Sequence, residues 1–257
     1  MTPRVLLLDL FGTVVHFAPQ VPTVEVAGAP WRTTMGWLHA TAEAALPEVA
    51  FADLLGALMH VTQEISRTRA PEYREIPSRE RFRRALAHVG VDAATAPTIA
   101  EQLSLAHMHH LASMTVLPDG HLDTMRQLAA QRPVALVSNF DHGPTARRVL
   151  ATHGVTDFFS AIVISEEFGR RKPHPTIFAA ALEALGAAPS EAWYVGDSVG
   201  DDVVGGHNAG LPVVWINPDE RPLPAGVAAP THVIGGLPDL PALLDAPARA
   251  TGRRRTR

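Results

Sequence analysis

Short apolar runs, each closed by a polar loop, recur along the chain. They are Val5–Leu8, Val134–Val137, Ala161–Ile164, Trp193–Val195, Val213–Ile216 and His232–Ile234. Continuous runs this short and rich in β-branched residues suit strands buried on both faces, as in a parallel sheet. Between them, helix-like stretches cover Pro144–His153, Thr176–Leu185 and Val203–Ala209. Alternating strand and helix predicts an α/β fold with a doubly wound parallel sheet. In such sheets ligands bind at the carboxyl ends of the strands.

The alternation breaks once. Between about Phe17 and Leu117 no comparable strand run occurs, and helical spacing takes over. Leu54, Leu55, Leu58, Met59 and Ile65 mark one helix. Phe82, Leu86 and Val89 mark a second, starting near Ser78, and a third covers Ile99 to Met114. Pro71, Pro77 and Pro97 punctuate the segment. The expected division is an α/β core of residues 1–17 and 115–245 with a helical insert of residues 18–114, placed to act as a lid. Residues 246–257, ending in Arg253, Arg254, Arg255, Thr256 and Arg257, are expected to be a disordered, solvated tail.

Composition narrows the function. The chain has 257 residues, 46% apolar and 19% charged, which fits one large α/β unit plus an insert. A net charge of −4 with no basic face argues against a nucleic-acid partner. The absence of cysteine excludes disulfides, thiolate catalysis and cysteine-ligated zinc, and suits a cytoplasmic location. Val5–Leu8 is cut short by Asp9, too soon for a signal-peptide core or a membrane span, so no membrane association is expected.

Four of the runs end in residues that carry chemistry. The first runs into Asp9-Leu10-Phe11-Gly12-Thr13, a carboxylate at the sheet edge followed by a glycine that permits a tight turn. Ser138-Asn139 follows the second, a hydroxyl and backbone N–H groups able to hold an anion. Lys172 follows the third, between a glycine turn and Pro173 and Pro175. The fourth ends in Gly196-Asp197-Ser198-Val199-Gly200-Asp201-Asp202, whose clustered carboxylates repel one another unless a cation neutralises them. Mg²⁺ prefers such oxygen ligands.

In order and spacing these four elements resemble the motifs of the haloacid dehalogenase (HAD) superfamily, which is mostly phosphatases. The stretch Lys172-Pro173-His174-Pro175-Thr176-Ile177-Phe178 is especially family-like. The resemblance covers the core, while the insert matches in position and helical character the type called a C1 cap. It implies a hydrolase acting on a small anionic substrate, with Asp9 as covalent nucleophile. It also implies Mg²⁺ on Asp9, the Phe11 carbonyl and Asp197, with phosphoryl oxygens on Ser138 and Asn139. Lys172 would neutralise charge, and Thr13, Asp201 and Asp202 would stand behind the ligands.

One position departs from the pattern. Most family phosphatases carry a general-acid aspartate two residues after the nucleophile, where this chain has Phe11. Positioned proton transfer contributes about 10²–10⁴-fold. The first reading is a phosphatase whose leaving group needs little protonation, or whose proton comes from His16 or His142. Its alternative is a 2-haloacid dehalogenase acting through an aspartyl ester, since halide leaves without a proton. A further alternative is a binding protein for phosphoryl ligands without turnover. Among smaller features, His107, His109 and His110 are read as exposed. Arg32, Arg67, Arg69 and Arg74 are read as surface partners of Glu64, Glu72 and Glu75. Trp31 and Trp37 are read as staples of the insert.

Overall fold

The structure is a computed structural model, and it describes residues 2–26 and 29–246. The C-terminal arginines read as a disordered tail lie outside the described residues. Among the described residues no helix is long and apolar enough to cross a membrane.

The chain opens with β1 (Val5–Leu8), then a two-residue strand β2 (His16–Phe17). A hairpin follows, β3 (Thr23–Val26) antiparallel to β4 (Ala29–Arg32). This hairpin corrects the expectation of a segment without strands. Pro30 sits inside β4, and proline demotes an apparent strand to an edge or a loop. Thr33 accepts a hydrogen bond from the Met35 N–H and starts a helical turn over Thr34–Leu38. Helices α1 (His39–Ala45), α2 (Phe51–Thr68), α3 (Ser78–His88) and α4 (Ala96–Ser113) complete the segment. Strand β5 (Thr115–Val116) then pairs antiparallel with β2, so the chain returns to the sheet beside its point of exit.

From there α5 (His121–Gln131), β6 (Val134–Ser138), α6 (Gly143–Thr152), β7 (Ala161–Ile164), α7 (Ser165–Phe168) and α8 (Pro175–Ala184) alternate. They are followed by β8 (Ala192–Gly196), α9 (Val204–Asn208), β9 (Val213–Ile216), β10 (His232–Ile234) and α10 (Leu240–Asp245). Six strands form one parallel sheet in the order β10-β9-β8-β1-β6-β7. All six predicted runs therefore lie in it. From the central β1 the chain winds outward to β6 and β7, then crosses back to β8. The direction of winding thus reverses between β1 and β8, where a doubly wound sheet opens its ligand crevice.

Strand periodicity explains the layering. Val5 and Leu7 face one side and pack with Ile177, Phe178 and Ala181 of α8. Leu6 and Leu8 face the other and pack with Met125 and Leu128 of α5 and with Val149 and Leu150 of α6. With both faces covered, the central strands can be apolar throughout. The helical segment has its own core of Leu54, Leu58, Val61 and Ile65 from α2, Phe82 and Leu86 from α3, and Ala100 and Leu103 from α4. These are helix-spaced stripes meeting face to face.

Three surface readings need correction. His107 is 4% exposed and its Nε2 pairs with Thr34 Oγ1 at 2.9 Å, while burial lowers its pKa to about 3. The α4 stripe that includes Leu103 carries it inward. Glu75 is likewise buried, accepting from Ser165 Oγ at 2.6 Å and pairing with Arg171 at 3.2 Å. Trp37 stacks on His110 as a staple, but Trp31 is 42% exposed and lines a cavity beside α2.

Candidate functional site

The site forms where the loops after β1 and β8 meet. Gly12, at φ +86°, turns the first loop back so tightly that a Cβ there would lie 2.5 Å from Asp197 Oδ2. Any other residue would push Asp197 away or unfold the turn. Gly196 does the same for Asp202, whose Cγ would lie 2.4 Å from an added Cβ. The result is a cavity of about 230 Å³ lined by Asp9, Phe11, Asn139, Arg171, Lys172, Asp197, Ser198, Asp201 and Asp202.

Lys172 is the electrostatic centre. Its side chain is 1% exposed, and its Nζ donates to Asp9 Oδ1 at 2.6 Å, Asp202 Oδ1 at 2.8 Å and Tyr194 OH at 2.8 Å. An ammonium has three protons, so all are used within the protein. Burial disfavours its charge, but the carboxylates of Asp202 and Asp9 outweigh that and hold its pKa above the ordinary lysine value. Asn139 grips its backbone from both sides, accepting from the Lys172 N–H at 2.8 Å and donating to the Lys172 carbonyl at 3.0 Å. The amide side chain is thus committed to placing Lys172, and only the Asn139 backbone is left for a ligand.

Asp202 is fully buried and engaged on both oxygens. Oδ1 accepts from Lys172 and from Tyr194 OH at 2.7 Å, and Oδ2 accepts from the Ser198 N–H at 2.9 Å. Asp201 instead pairs with Arg171 at 3.6 Å, so of the two acids Asp202 is the one that holds Lys172. Tyr194, absent from the sequence reading, closes this network. Burial first, then Asp202 and Asp9, keep its hydroxyl neutral with a pKa well above the usual tyrosine value. Its hydroxyl within an apolar strand ending in the acidic loop is the one signal that could have marked it.

Asp9 and Asp197 are the carboxylates left with unused oxygens. Ligand oxygens of Asp9, Asp197 and Asp202 lie within 4.8 Å of one another. Burial pushes Asp9 up to about 7 against the pull of Lys172, and Asp202 and Asp197 add to the rise. Asp197 is pushed to about 6 by burial and then by Asp202. Two acids held back from ionising by burial and repulsion fit a hard cation, whose charge would reverse both effects. Asp202 is already engaged on both oxygens, which leaves Asp9 and Asp197 as the side chains freest to hold one, and Phe11 lines the same cavity. Among the described residues Asp9 Oδ2 takes no hydrogen bond.

The other candidates divide. Ser138, at the end of β6, is fully enclosed behind the residues that line the cavity and its Oγ has no hydrogen-bond partner; the hydroxyl of Thr13 is in the same state. An enclosed unpaired hydroxyl costs roughly 1–3 kcal/mol, which a ligand oxygen would relieve. Phe11 stacks between Phe17 and Phe140, each with ring centroids at 4.8 Å, giving the cavity an apolar wall. The proposed proton donors do not reach it. His16 turns edge-on to His121, His142 pairs with Thr145 Oγ1 at 2.9 Å, and neither lines the cavity. Burial lowers both histidine pKa values.

The helical segment reaches a neighbouring cavity that shares Arg171 with the one at Asp9. This small cavity is lined by Arg69, Glu75, Arg81, Asp141 and Arg171, and Arg81 pairs with Asp141 across it. Arg69 thus lines this neighbouring cavity and not the one at Asp9, whereas Arg32 donates to the Pro19 carbonyl and Arg74 meets Arg170 through a backbone bridge. Glu72 does pair with Arg170 at the surface, at 2.9 Å.

Comparison with known proteins agrees with this architecture. The chain is 32% identical over 231 residues to phosphoserine phosphatase of Thermus thermophilus, covering 85% of this chain and 90% of that one. It is 33% identical over 144 residues to the Escherichia coli pyrimidine 5'-nucleotidase YjjG, covering 56% of this chain and 63% of the relative, a little under two thirds of its length. Among solved structures, 2-haloacid dehalogenase from Pseudomonas syringae pv. tomato shares the fold. Its TM-score is 0.71 at 22% identity, covering 94% of this chain and 98% of that one. Residues 3–210 match the haloacid dehalogenase-like hydrolases, and the chain belongs to that family.

Proposed function

We propose that the chain is a Mg²⁺-dependent phosphatase acting on a small phosphorylated molecule through an aspartyl-phosphate on Asp9. The observation that carries this reading is the shared cavity of Asp9 and Asp197, with Lys172 fixed 2.6 Å from the nucleophile. Lys172 steadies Asp9 through Oδ1, and one carboxylate oxygen attacks phosphorus while the other is left for a metal ion. The bond to the leaving oxygen breaks and its electron pair departs with it. Water then attacks the same phosphorus, releasing phosphate and the Asp9 carboxylate. The Asn139 backbone N–H and the unpaired Ser138 hydroxyl are suited to the phosphoryl oxygens. Mg²⁺ on Asp9, the Phe11 carbonyl and Asp197 would supply positive charge against the phosphoryl group. The helical residues 18–114 act on this reading as a cap over the site. Similarity to phosphoserine phosphatase along nearly the whole chain favours a phosphate ester.

A second reading, a 2-haloacid dehalogenase, is favoured by Phe11 and its stack with Phe17 and Phe140, which put an apolar wall where a general acid would stand. One panel separates the two: phosphate release from phosphomonoesters and halide release from 2-chloro acids, each with and without Mg²⁺. Phosphate release that requires Mg²⁺ supports the phosphatase. Halide release without metal overturns it in favour of the dehalogenase. Binding of a phosphate analogue with no turnover of any substrate would instead indicate a non-catalytic binding protein.

A further inference from the structure

At the surface of the helical segment His60, Glu64 and His88 converge, and none of them lines the Asp9 cavity. His60 and Glu64 stand one turn apart on α2, so they share a face. His88 is the last residue of α3. One ligand atom from each lies within 4.8 Å of the others, and the two imidazole rings meet edge to face with centroids 5.0 Å apart. All three residues are exposed. Among the described residues none of the three side chains makes another hydrogen bond or ion pair. They are therefore not held together by a local network, yet they meet at one point.

We propose that His60, Glu64 and His88 form a second metal site, for a borderline transition-metal ion of the zinc type, that clips α2 to α3. The donor set is two imidazole nitrogens and one carboxylate oxygen, a combination that suits Zn²⁺ and leaves a fourth position for water. It is unlike the all-oxygen set at Asp9 and Asp197, which suits a hard ion, so the two sites select different metals. A tetrahedral ion with bonds of about 2.0–2.1 Å needs ligand atoms roughly 3.3 Å apart. Exposed side chains reach that by small rotations, with no movement of backbone. The carbonyl end of α3, where His88 sits, also favours a cation. The apolar stripe beneath, Leu58, Val61 and Ile65 against Phe82 and Leu86, already aligns the helices, so the ion finds its ligands pre-positioned.

The test uses the full chain in excess Mg²⁺, so that the carboxylates of the Asp9 cavity are compared in the same state throughout. Zn²⁺ is titrated by calorimetry into the parent and into His88→Ala and His60→Ala, and the melting temperature is read with and without Zn²⁺. We expect one Zn²⁺ equivalent in the parent that both variants lose or bind about 100-fold more weakly, since even groups behind the ligands cost 10–100-fold. The rise in Tm with Zn²⁺ should vanish in both, while their Tm in Mg²⁺ without Zn²⁺ stays at the parent value because the residues are exposed. Co²⁺ in the parent should show the visible absorption of a tetrahedral ion. Equal Zn²⁺ stoichiometry, affinity and Tm response in parent and variants would overturn the site, whatever the reaction at Asp9 proves to be.

Discussion

Replacing Lys172 by Met tests the electrostatic account. The substitution keeps an unbranched apolar stem as far as the Cε position and removes the ammonium, and with it one charge, from the centre of the site. In the native chain Nζ sits 2.6 Å from Asp9 and 2.8 Å from Asp202, and all three side chains are buried. Without it two carboxylates face each other in a low-dielectric crevice. Removing one partner of a buried pair costs roughly 3–5 kcal/mol when the remaining charge cannot escape. Here Asp9 can escape by taking a proton. Its pKa, already about 7, loses the downward pull of Lys172 and rises further. The sign follows by linkage. A carboxyl whose folded pKa lies above its unfolded value binds more protons when folded, so stability falls as pH rises between the two values. Loss of Lys172 extends that window upward. The variant also leaves Asp202 without its cation at either pH, so it should fall behind the parent at both, by less near pH 5 and by about 3–5 kcal/mol near pH 8.5. Urea unfolding of both proteins at the two pH values, in chelator, measures this. Equal loss at both pH values, or none at the higher one, would refute the reasoning.

Other outcomes follow from the same geometry. Tyr194→Phe should cost about 1.5–3 kcal/mol in urea unfolding, because its hydroxyl bonds two charged groups at 2.7 and 2.8 Å; an unchanged midpoint would remove it from the network. Phe11→Asp should raise turnover of alkyl phosphates by up to about 10²-fold and leave activated aryl phosphates little changed, and no gain on either would mean that another proton donor already acts. Mg²⁺ affinity by calorimetry should weaken as pH falls through about 7 to about 6, since Asp9 and Asp197 must lose their protons to bind. Gly12→Ala should also weaken Mg²⁺ binding by displacing Asp197, and unaltered affinity there would show that the turn tolerates a side chain.

The sheet was legible because its strands are buried on both faces, which leaves continuous apolar runs such as Val134–Val137. Asp9, Lys172 and Asp197 were legible because in a parallel sheet the residues after the strands meet at one edge. What escaped belongs to tertiary context. Tyr194 reads as one more strand residue until Lys172 and Asp202 are seen on its hydroxyl. Glu75 looks like a surface acid, and becomes an internal one only where Ser165 at the start of α7 and Arg171 beyond it meet its carboxylate. The β3–β4 hairpin is masked by Pro30, and the meeting of His60, Glu64 and His88 depends on how α2 packs on α3. His16 and His142 lie near the Asp9 and Ser138 loops in sequence, yet His121 and Thr145 claim their rings.

The most direct measurement is a rapid acid quench of the protein turning over a ³²P-labelled phosphomonoester with Mg²⁺, followed by peptide mapping. The account predicts label on the peptide containing Asp9, absent in Asp9→Asn together with turnover. Phosphate release that persists in Asp9→Asn, or label that maps to another residue, would contradict it.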